Sequence, residues 1–490
     1  MLPIVLIHGY SAESGKTNLA SISAIYGDLP SRLKEVYGAD AVFELDVSRY
    51  VTLEDGVTID DLSRAMDRAL RADHPKLLET GFQVVIHSTG ALVSRNWVRR
   101  FAAAYPTRPL KRIVYLAGAI LGSGWAHVGK GQLAKWARMV FQGGAERGVR
   151  VLDALELASS WTLDLQLHFL NDGTRMRDYG IREAAIIGTQ PDVKWAPIPI
   201  RYPKEDGSDG VVRVSAGNPN YSYVAVVPKP EAAALGWADV TAEVDAHAGG
   251  RGEKHTWYEV SRASLAGDTD RPPVPIAIPQ SCAHFGGDHG IVSGKEPKAE
   301  VTRLLRLALE TADTDLAWTV LAGEFDKATA ATYDAVRQQG TSLIRRFIEE
   351  PHAQLDAHAQ MVFRVRDQDG RPVEHFDVFF DCSDTGLAVG KLFEDKHLND
   401  VTPNCICFYL RCTAWDGTSG TWLDRVQQVE AFHLEVSATE PETDTVQYLP
   451  LRVPASATEL ASWARPHTTT ILDITLLRVP GPQLFIARTA

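Results

Sequence analysis

The sequence lacks two features that would each indicate a class of function. It has no uninterrupted apolar run of about 18 residues, the length that a membrane-spanning helix needs. It also has no excess of positive charge, because 50 Lys and Arg stand against 62 Asp and Glu, for a formal net charge of −12. A nucleic-acid-binding protein normally presents a basic surface. We therefore expect neither a transmembrane segment nor a nucleic-acid partner.

A secretory leader is also missing from the printed sequence. The first apolar run, at residues 4–7, follows no basic segment and is too short for the core of a signal peptide. From this we expect a cytoplasmic protein, with signal-independent export or a removed leader left open.

Cysteine is scarce: the chain has five among 490 residues, and four follow residue 380 (Cys382, Cys405, Cys407 and Cys412). Their spacing matches no zinc signature, so no metal site is predicted. Cys405 and Cys407 stand two apart in an apolar run, as on one face of a strand. We expect buried free thiols rather than a disulfide framework.

The N-terminal turn lacks the first glycine of a phosphate-binding P-loop. The strand-like run at residues 4–7 leads to His8-Gly9-Tyr10, and the turn ends in Gly-Lys-Thr at residues 15–17. In G-x-x-x-x-G-K-[ST], backbone N–H groups wrap the phosphates and the lysine reaches them. The first glycine belongs at position 10, where the chain has Tyr10. A nucleotide-binding loop is therefore disfavoured, and no cofactor is predicted.

The first 312 residues alternate strands with helices. Strand-like segments are PIVLIH, AVFELDV, FQVVIH, RIVYLAG, EAAIIGT and PVPIAIP, and helical periodicity runs over 59–70 and 300–309. This rhythm predicts an α/β fold with a mostly parallel sheet. Residues 120–180 form a helical, Trp-rich insertion, in which Leu133, Trp136, Ala137 and Val140 share one apolar helix face.

Composition changes after residue 312. Residues 317–350 have a helical pattern broken at Gly340, and we interpret 313–355 as a helical linker. Short strands with period-two alternation follow at 361–365, 376–380, 432–436 and 471–477, with a hairpin turn at Asp369-Gly370. Short strands with turns and no intervening helices predict a β-sandwich-like domain over 356–490.

The segment FQVVIHSTGALVSRNW has the pattern of a nucleophile elbow. A buried strand ends at His87, Ser88 follows, and Gly90 stands at the start of a helix. Such a turn lifts the serine hydroxyl above the sheet and directs the helix N-terminus at it. The pattern is one glycine short, since Ile86 stands two residues before the serine.

Candidate partners follow Ser88 in the order acid, then histidine. Asp209 lies in EDGSDGVVRV, and QSCAHFGGDHGIV carries His284 and His289 after the strand PVPIAIP. A serine hydroxyl becomes a good nucleophile when a histidine accepts its proton and a carboxylate orients that histidine. The order Ser, acid, His is that of α/β-hydrolases.

Residues 1–312 resemble the lipase- and esterase-like branch of the α/β-hydrolase superfamily. The segments that carry the resemblance are IVLIHGY, the elbow IHSTG, YLAGAILGSGWA, SDGVV and DHGIV. The resemblance implies Ser88 as nucleophile, Asp209 as acid and His289 as base, because DHGIV fits the family's histidine loop better than AHF does. It also implies an oxyanion hole formed by the backbone N–H groups of Tyr10 and Thr89.

Two rivals stay open at this point. Asp206 lies three residues before Asp209 on the same loop, and His284 lies five residues before His289. His8 and His87 flank the site and are expected to pack or hydrogen bond rather than act as bases.

The implied function is serine ester hydrolysis of the lipase, phospholipase or esterase type, with no metal or cofactor. The helical insertion stands where a lid over an acyl pocket would lie, which favours an ester or lipid substrate and leaves peripheral membrane contact open. A thioesterase or acyltransferase on the same triad is one alternative. A catalytically decayed, hydrolase-like binding module is the other, and the sequence names no protein partner for residues 313–490.

Overall fold

The computed structural model of the chain describes residues 1–7, 25–45, 56–124, 126, 149–171, 173–190, 205–248, 257–261, 273–338, 352–384 and 392–484. The chain forms two compact units. The first contains Met1–Asn220, Asp270–Asp356 and Gly417–Thr421, and the second contains Tyr221–Thr269, Ala357–Asp416 and Trp422–Ala490.

The described strands in chain order are β1 (Ile4–Ile7), β2 (Val42–Leu45), β3 (Phe82–His87), β4 (Leu110–Leu116), β5 (Arg182–Ile186), β6 (Ser222–Pro228), β7 (Tyr258–Ser261), β8 (Ile276–Ala277), β9 (His358–Asp367), β10 (Phe376–Asp384), β11 (Phe393–Leu398), β12 (Cys405–Arg411), β13 (Thr413–Asp416), β14 (Thr421–Asp424), β15 (Val429–Ala438), β16 (Val446–Tyr448), β17 (Leu451–Ser456), β18 (Thr469–Leu476) and β19 (Arg478–Pro480). The described α-helices are α1 (Leu29–Tyr37), α2 (Ile59–Asp73), α3 (Pro75–Thr80), α4 (Gly90–Phe101), α5 (Val149–Leu155), α6 (Ser160–His168), α7 (Val214–Gly217), α8 (Trp237–Ala248), α9 (Lys298–Glu310), α10 (Asp315–Arg337) and α11 (Ala457–Trp463).

The first unit is built on a six-stranded parallel sheet in the order β2-β1-β3-β4-β5-β8. β1 and β3 are buried along their whole length, as expected of parallel strands covered on both faces. The prediction of an α/β fold is confirmed. Because all six strands run the same way, their carboxyl ends lie at one edge of the sheet, and β3 is in the middle of that edge.

Local sequence signals explain why α2 and α4 form where they do. Thr58 and Asp61 make a reciprocal capping box at the start of α2, which satisfies N–H groups that the helix leaves unpaired. α4 begins directly after Ser88-Thr89 and buries all of its first nine residues. The two helices meet through polar contacts as well as apolar ones, since Ser63 Oγ donates to Val93 O at 3.0 Å.

Arg112 on β4 caps the carboxyl end of α9. Its guanidinium donates to the carbonyl oxygens of Ala308, at 2.8 Å, of Leu309, and of Thr311, at 2.7 Å. A helix leaves its last carbonyl groups without intrahelical donors, and a buried cation there also complements the helix dipole. Arg112 therefore fixes α9 against the sheet.

We expect Arg112→Met to lower the free energy of unfolding by about 3 kcal/mol, because it leaves several buried carbonyl groups without a donor. Lys111→Met is the matched control, since Lys111 makes a single exposed hydrogen bond, to Thr107 O. Thermal and urea unfolding followed by circular dichroism measures the difference. Equal destabilisation by the two variants would contradict the capping role.

The second unit has two main sheets around one apolar core. One sheet is three-stranded and antiparallel, in the order β10-β15-β17, and the other is six-stranded and mixed, in the order β11-β12-β9-β18-β6-β7. Buried side chains of both sheets form the core, among them Phe363, Phe408, Phe432 and Leu434. The predicted β-rich C-terminal region is confirmed, with the hairpin turn at residues 367–370 that the sequence indicates.

The structure divides the chain differently from the predicted boundaries. Residues 221–269 belong to the second unit, because β6 pairs in parallel with β18 of the C-terminal sheet. The predicted linker over 313–355 is part of the first unit, where Trp318, Leu321 and Phe325 of α10 join its core. The predicted helix around residues 133–140 lies outside the described residues.

Two further predictions can be compared with the described residues. Cys282, Cys405, Cys407 and Cys412 are buried free thiols, as expected of the cysteines. No helix in the described ranges combines the length and the hydropathy needed to cross a bilayer.

Candidate active site

Ser88 occupies a strained turn between β3 and α4. Its φ is 55°, in the left-handed region that residues with a Cβ rarely adopt. Backbone hydrogen bonds hold the turn, because Ser88 O accepts from the N–H groups of Ala91, at 3.1 Å, and of Ala119, at 3.2 Å. Such strain typically costs 1–3 kcal/mol and persists where the surrounding structure enforces it, often at functional sites. The turn is the strand–serine–helix arrangement that the sequence predicts.

Ile86, in the place of the missing glycine, is accommodated without opening the turn. It is fully buried and lies in register between Ile7 of β1 and Tyr115 of β4. The close approach of helix and sheet occurs at Gly118 instead. A Cβ there would lie 3.2 Å from the Cβ of Ala91 and 3.0 Å from the Tyr115 ring. Gly118 is a close-packing glycine that the sequence analysis does not single out, although YLAGAI places it soon after a strand.

Asp209 is buried and accepts hydrogen bonds on both carboxylate oxygens. Oδ1 accepts from the N–H groups of Val211, at 3.0 Å, and of Val212, at 2.7 Å. Oδ2 lies 2.7 Å from Nδ1 of His284. A carboxylate only accepts, so Nδ1 carries the proton and Nε2 is left as the basic nitrogen. Nε2 of His284 is buried and has no hydrogen-bond partner among the described residues.

The structure pairs Asp209 with His284, and not with the predicted base His289. His289 is about a third exposed and its Nδ1 lies 3.4 Å from Oε2 of Glu296. A second bond, from the backbone N–H of His284 to Asp209 O at 2.9 Å, ties the two loops together. The preference for His289 is therefore corrected in favour of its rival His284. The other rival, Asp206, is half-buried and is not the carboxylate bonded to His284 Nδ1.

The position of His87 shows that the Asp209–His284 pair lies close to the Ser88 turn. Its ring centroid lies 4.7 Å from that of His284, and Ser88 is the next residue along the chain. Burial, and then the nearby His284, hold the pKa of the His87 imidazole well below its ordinary value, so this ring is neutral. The pair thus lies at the carboxyl end of β3, where Ser88 stands.

Cys282 is not a competing nucleophile in this cluster. It is fully buried, and burial together with the Asp209 carboxylate raises the pKa of its thiol well above the ordinary value. A cysteine attacks as a thiolate, and this environment favours the neutral thiol.

Of the two predicted oxyanion donors, only Thr89 belongs to the described residues. It is buried at the N-terminus of α4, where backbone N–H groups lack intrahelical partners and the helix dipole favours negative charge. Tyr10, like the Gly-Lys-Thr at 15–17, lies outside them.

The Tyr26 hydroxyl links β1 to β3, because it donates to Ile7 O at 2.7 Å and reaches Val85 O at 3.3 Å.

The described residues contain no group of three or more His, Cys, Asp or Glu arranged to hold a metal ion. The described residues bring to the site the buried Asp209 carboxylate, the imidazoles of His87 and His284, and the N-terminus of α4. Together they can accept a proton from a hydroxyl and stabilise a developing negative charge beside it.

Comparison with solved structures supports this description of the fold. The phospholipase PlaB from Legionella pneumophila, in complex with thio-NAD, aligns over 100% of this chain and 96% of its own, with a TM-score of 0.76 and 21% identity. A second PlaB structure gives a TM-score of 0.75 and 22% identity over the same shares. The mature lipase BlEst2 from Bacillus licheniformis aligns over 44% of this chain and 78% of its own, with a TM-score of 0.31 and 15% identity.

No protein-family model and no curated protein matches the chain. The likeness to PlaB extends through both units, and its identity level shows the fold alone. The chain therefore shares the fold of PlaB, and its own described residues form a parallel α/β unit and a β-rich C-terminal region.

Proposed function

We propose that this chain, which has the α/β-hydrolase fold of lipases and esterases, is a serine ester hydrolase that acts on acyl esters of lipids. The observation that carries the proposal is the buried Asp209–His284 hydrogen bond of 2.7 Å beside the strained Ser88 turn. A buried histidine oriented by a carboxylate, next to a serine held in left-handed geometry, is the arrangement that activates a serine nucleophile.

The reaction follows from the roles of these groups. Ser88 Oγ attacks the ester carbonyl while Nε2 of His284 takes the hydroxyl proton, and Asp209 holds the ring and stabilises the imidazolium. The carbonyl oxygen becomes an oxyanion beside the Thr89 N–H, with Tyr10 N–H as the proposed second donor. His284 then gives the proton to the leaving alcohol. Water, deprotonated by His284, attacks the acyl-enzyme and releases the acid and free Ser88.

Phospholipids are the proposed substrate class. PlaB, whose fold this chain shares over its full length, is a phospholipase. Action on phospholipids would require the chain to reach a membrane surface, and we propose peripheral contact for that step. A thioesterase or acyltransferase would use the same residues and differ in the leaving group or the acceptor. A binding module would need none of them, so the paired Asp209 and His284 count against it.

Covalent labelling tests the proposal. A fluorophosphonate phosphonylates an activated serine, so intact mass should show one adduct per chain in the wild type and none in Ser88→Ala. Release of fatty acid from phosphatidylcholine vesicles, compared with p-nitrophenyl esters and an acyl thioester, then separates phospholipid, small-ester and thioester hydrolysis, and transfer of the acyl group to an added alcohol would identify an acyltransferase. Absence of labelling in folded wild type, or equal labelling of Ser88→Ala, would overturn it.

A further inference from the structure

A buried ion pair closes the loop that carries Asp209. Arg213 Nε donates to Glu205 Oε2 at 3.0 Å, and Arg213 Nη2 donates to Glu205 Oε1 at 2.8 Å. The two side chains are only 2% and 4% exposed. Glu205 and Arg213 stand at the two ends of the loop, and Asp209 is at its centre.

Backbone hydrogen bonds lie within the loop and directly beside it. Val214 N–H donates to Gly207 O at 2.9 Å, and Asp209 N–H donates to Val212 O at 3.2 Å. Outside the loop, Ser123 Oγ donates to Val211 O at 2.6 Å. These bonds shape the turn around Asp209, whereas the ion pair joins residues 205 and 213 at the two ends of the loop.

We infer that the Glu205–Arg213 pair is a positioning element that keeps Asp209 within hydrogen-bond distance of His284; the inference deepens the proposed function and rests on it. A bidentate guanidinium–carboxylate pair fixes both distance and orientation, which a single hydrogen bond or an apolar contact does not. Burial makes the pair costly to form and costly to break on one side. The loop therefore has one strongly favoured closed arrangement, and Asp209 belongs to it.

The first test is Glu205→Gln, which keeps the side-chain shape and removes its charge. We expect kcat for a p-nitrophenyl ester to fall about 100-fold, because small misplacements at a reacting centre have effects of that order. KM should stay nearly constant. A displaced Asp209 orients the His284 ring less well and stabilises its imidazolium less, so the loss should fall on kcat. Arg213→Lys should act likewise, since an ammonium cannot make the paired bonds.

A second buried ion pair supplies the control for lost stability. Arg95 of α4 bonds to Glu183, the second residue of β5, with side chains 2% and 10% exposed. Glu183 stands at the amino end of its strand, whereas the site lies at the carboxyl ends. Glu183→Gln should therefore lower the thermal midpoint about as much as Glu205→Gln and leave kcat unchanged. All assays are run well below the midpoint of the least stable variant.

A readout independent of hydrolysis separates this inference from the proposed function. The His284 Nδ1–H proton, held by Asp209, should give a far-downfield proton resonance that is missing in His284→Asn. Glu205→Gln should weaken or abolish that resonance, and Glu183→Gln should retain it. An unchanged resonance in Glu205→Gln would overturn the positioning role. If the wild type shows the resonance but hydrolyses no ester, and Glu205→Gln loses the resonance, the positioning role is retained and the proposed function is rejected.

Discussion

His284→Ala is expected to lower turnover of a p-nitrophenyl ester by about 10⁶-fold, because loss of the base from a serine triad costs as much as loss of the whole triad. His289→Ala is the matched comparison. It removes an imidazole from the same loop, five residues away, and should leave turnover within a few-fold of wild type. Steady-state kinetics with titration of active serines checks both variants.

Both histidine variants change the same loop, so their folding must be checked as well as their rates. Cys282 and Ala283 are buried beside His284, so the thermal midpoint of each variant must be compared with wild type before its rate is interpreted. A variant at position 284 that folds normally and retains activity would reject His284 as the base. A large loss at position 289 with a normal midpoint would restore the assignment made from the motif DHGIV.

Asp209→Asn is the second variant for which we expect a large effect. It should lower turnover about 10⁴-fold, the decrease seen when the orienting aspartate of a serine triad becomes an amide. An amide can present an N–H to Nδ1, which favours the tautomer with its proton on Nε2, so His284 can no longer accept from Ser88. Asp206→Asn, on the same loop and half-buried, should change turnover only slightly.

The matched variant Asp206→Asn supplies the check on this assignment. Equal losses in the two Asn variants, or a larger loss for Asp206→Asn, would contradict the assignment of Asp209.

The sequence predicts those parts of the site that depend on local order along the chain. Ser88 is recognised because a buried strand, a serine and a helix follow one another, and the structure forms that turn. Asp209 is found because its loop follows the elbow in the expected order. Ile86 does not disturb the turn, since Gly118, 32 positions further along the chain and adjacent only in space, supplies the close approach.

The choice between His284 and His289 is beyond the sequence for a physical reason. The two imidazoles share one loop, and the path of its backbone decides which ring is directed inward. That path includes Ser281 at a φ of 52° and a bridge between Ala283 and Gly290. Neither feature produces a periodic pattern of residues in the sequence. A motif match ranks the two by resemblance, whereas burial and the Asp209 bond separate them.

The predicted domain boundaries differ from the two units of the structure for a related reason. Alternating apolar residues identify β9 as a strand but carry no information on which sheet it joins, and β6 is not among the predicted strands. β6 pairs with β18, whose residues stand about 250 positions later in the chain. Strand pairing at such a separation is set by the packing of the whole unit, so reading the sequence in order assigns residues 221–269 to the wrong unit.

That pairing has a consequence for how the chain is made. The second unit begins at Tyr221, yet the partner strand of β6 is not synthesised until residues 469–476 leave the ribosome. The first unit must also wait for its own last sheet strand, β8, which is translated after β6 and β7. Nascent β6 and β7 therefore emerge before either unit can be completed. Any shortened chain that stops near residue 312 would leave unpaired the edge of β6 that pairs with β18, the kind of surface on which strands of neighbouring molecules aggregate.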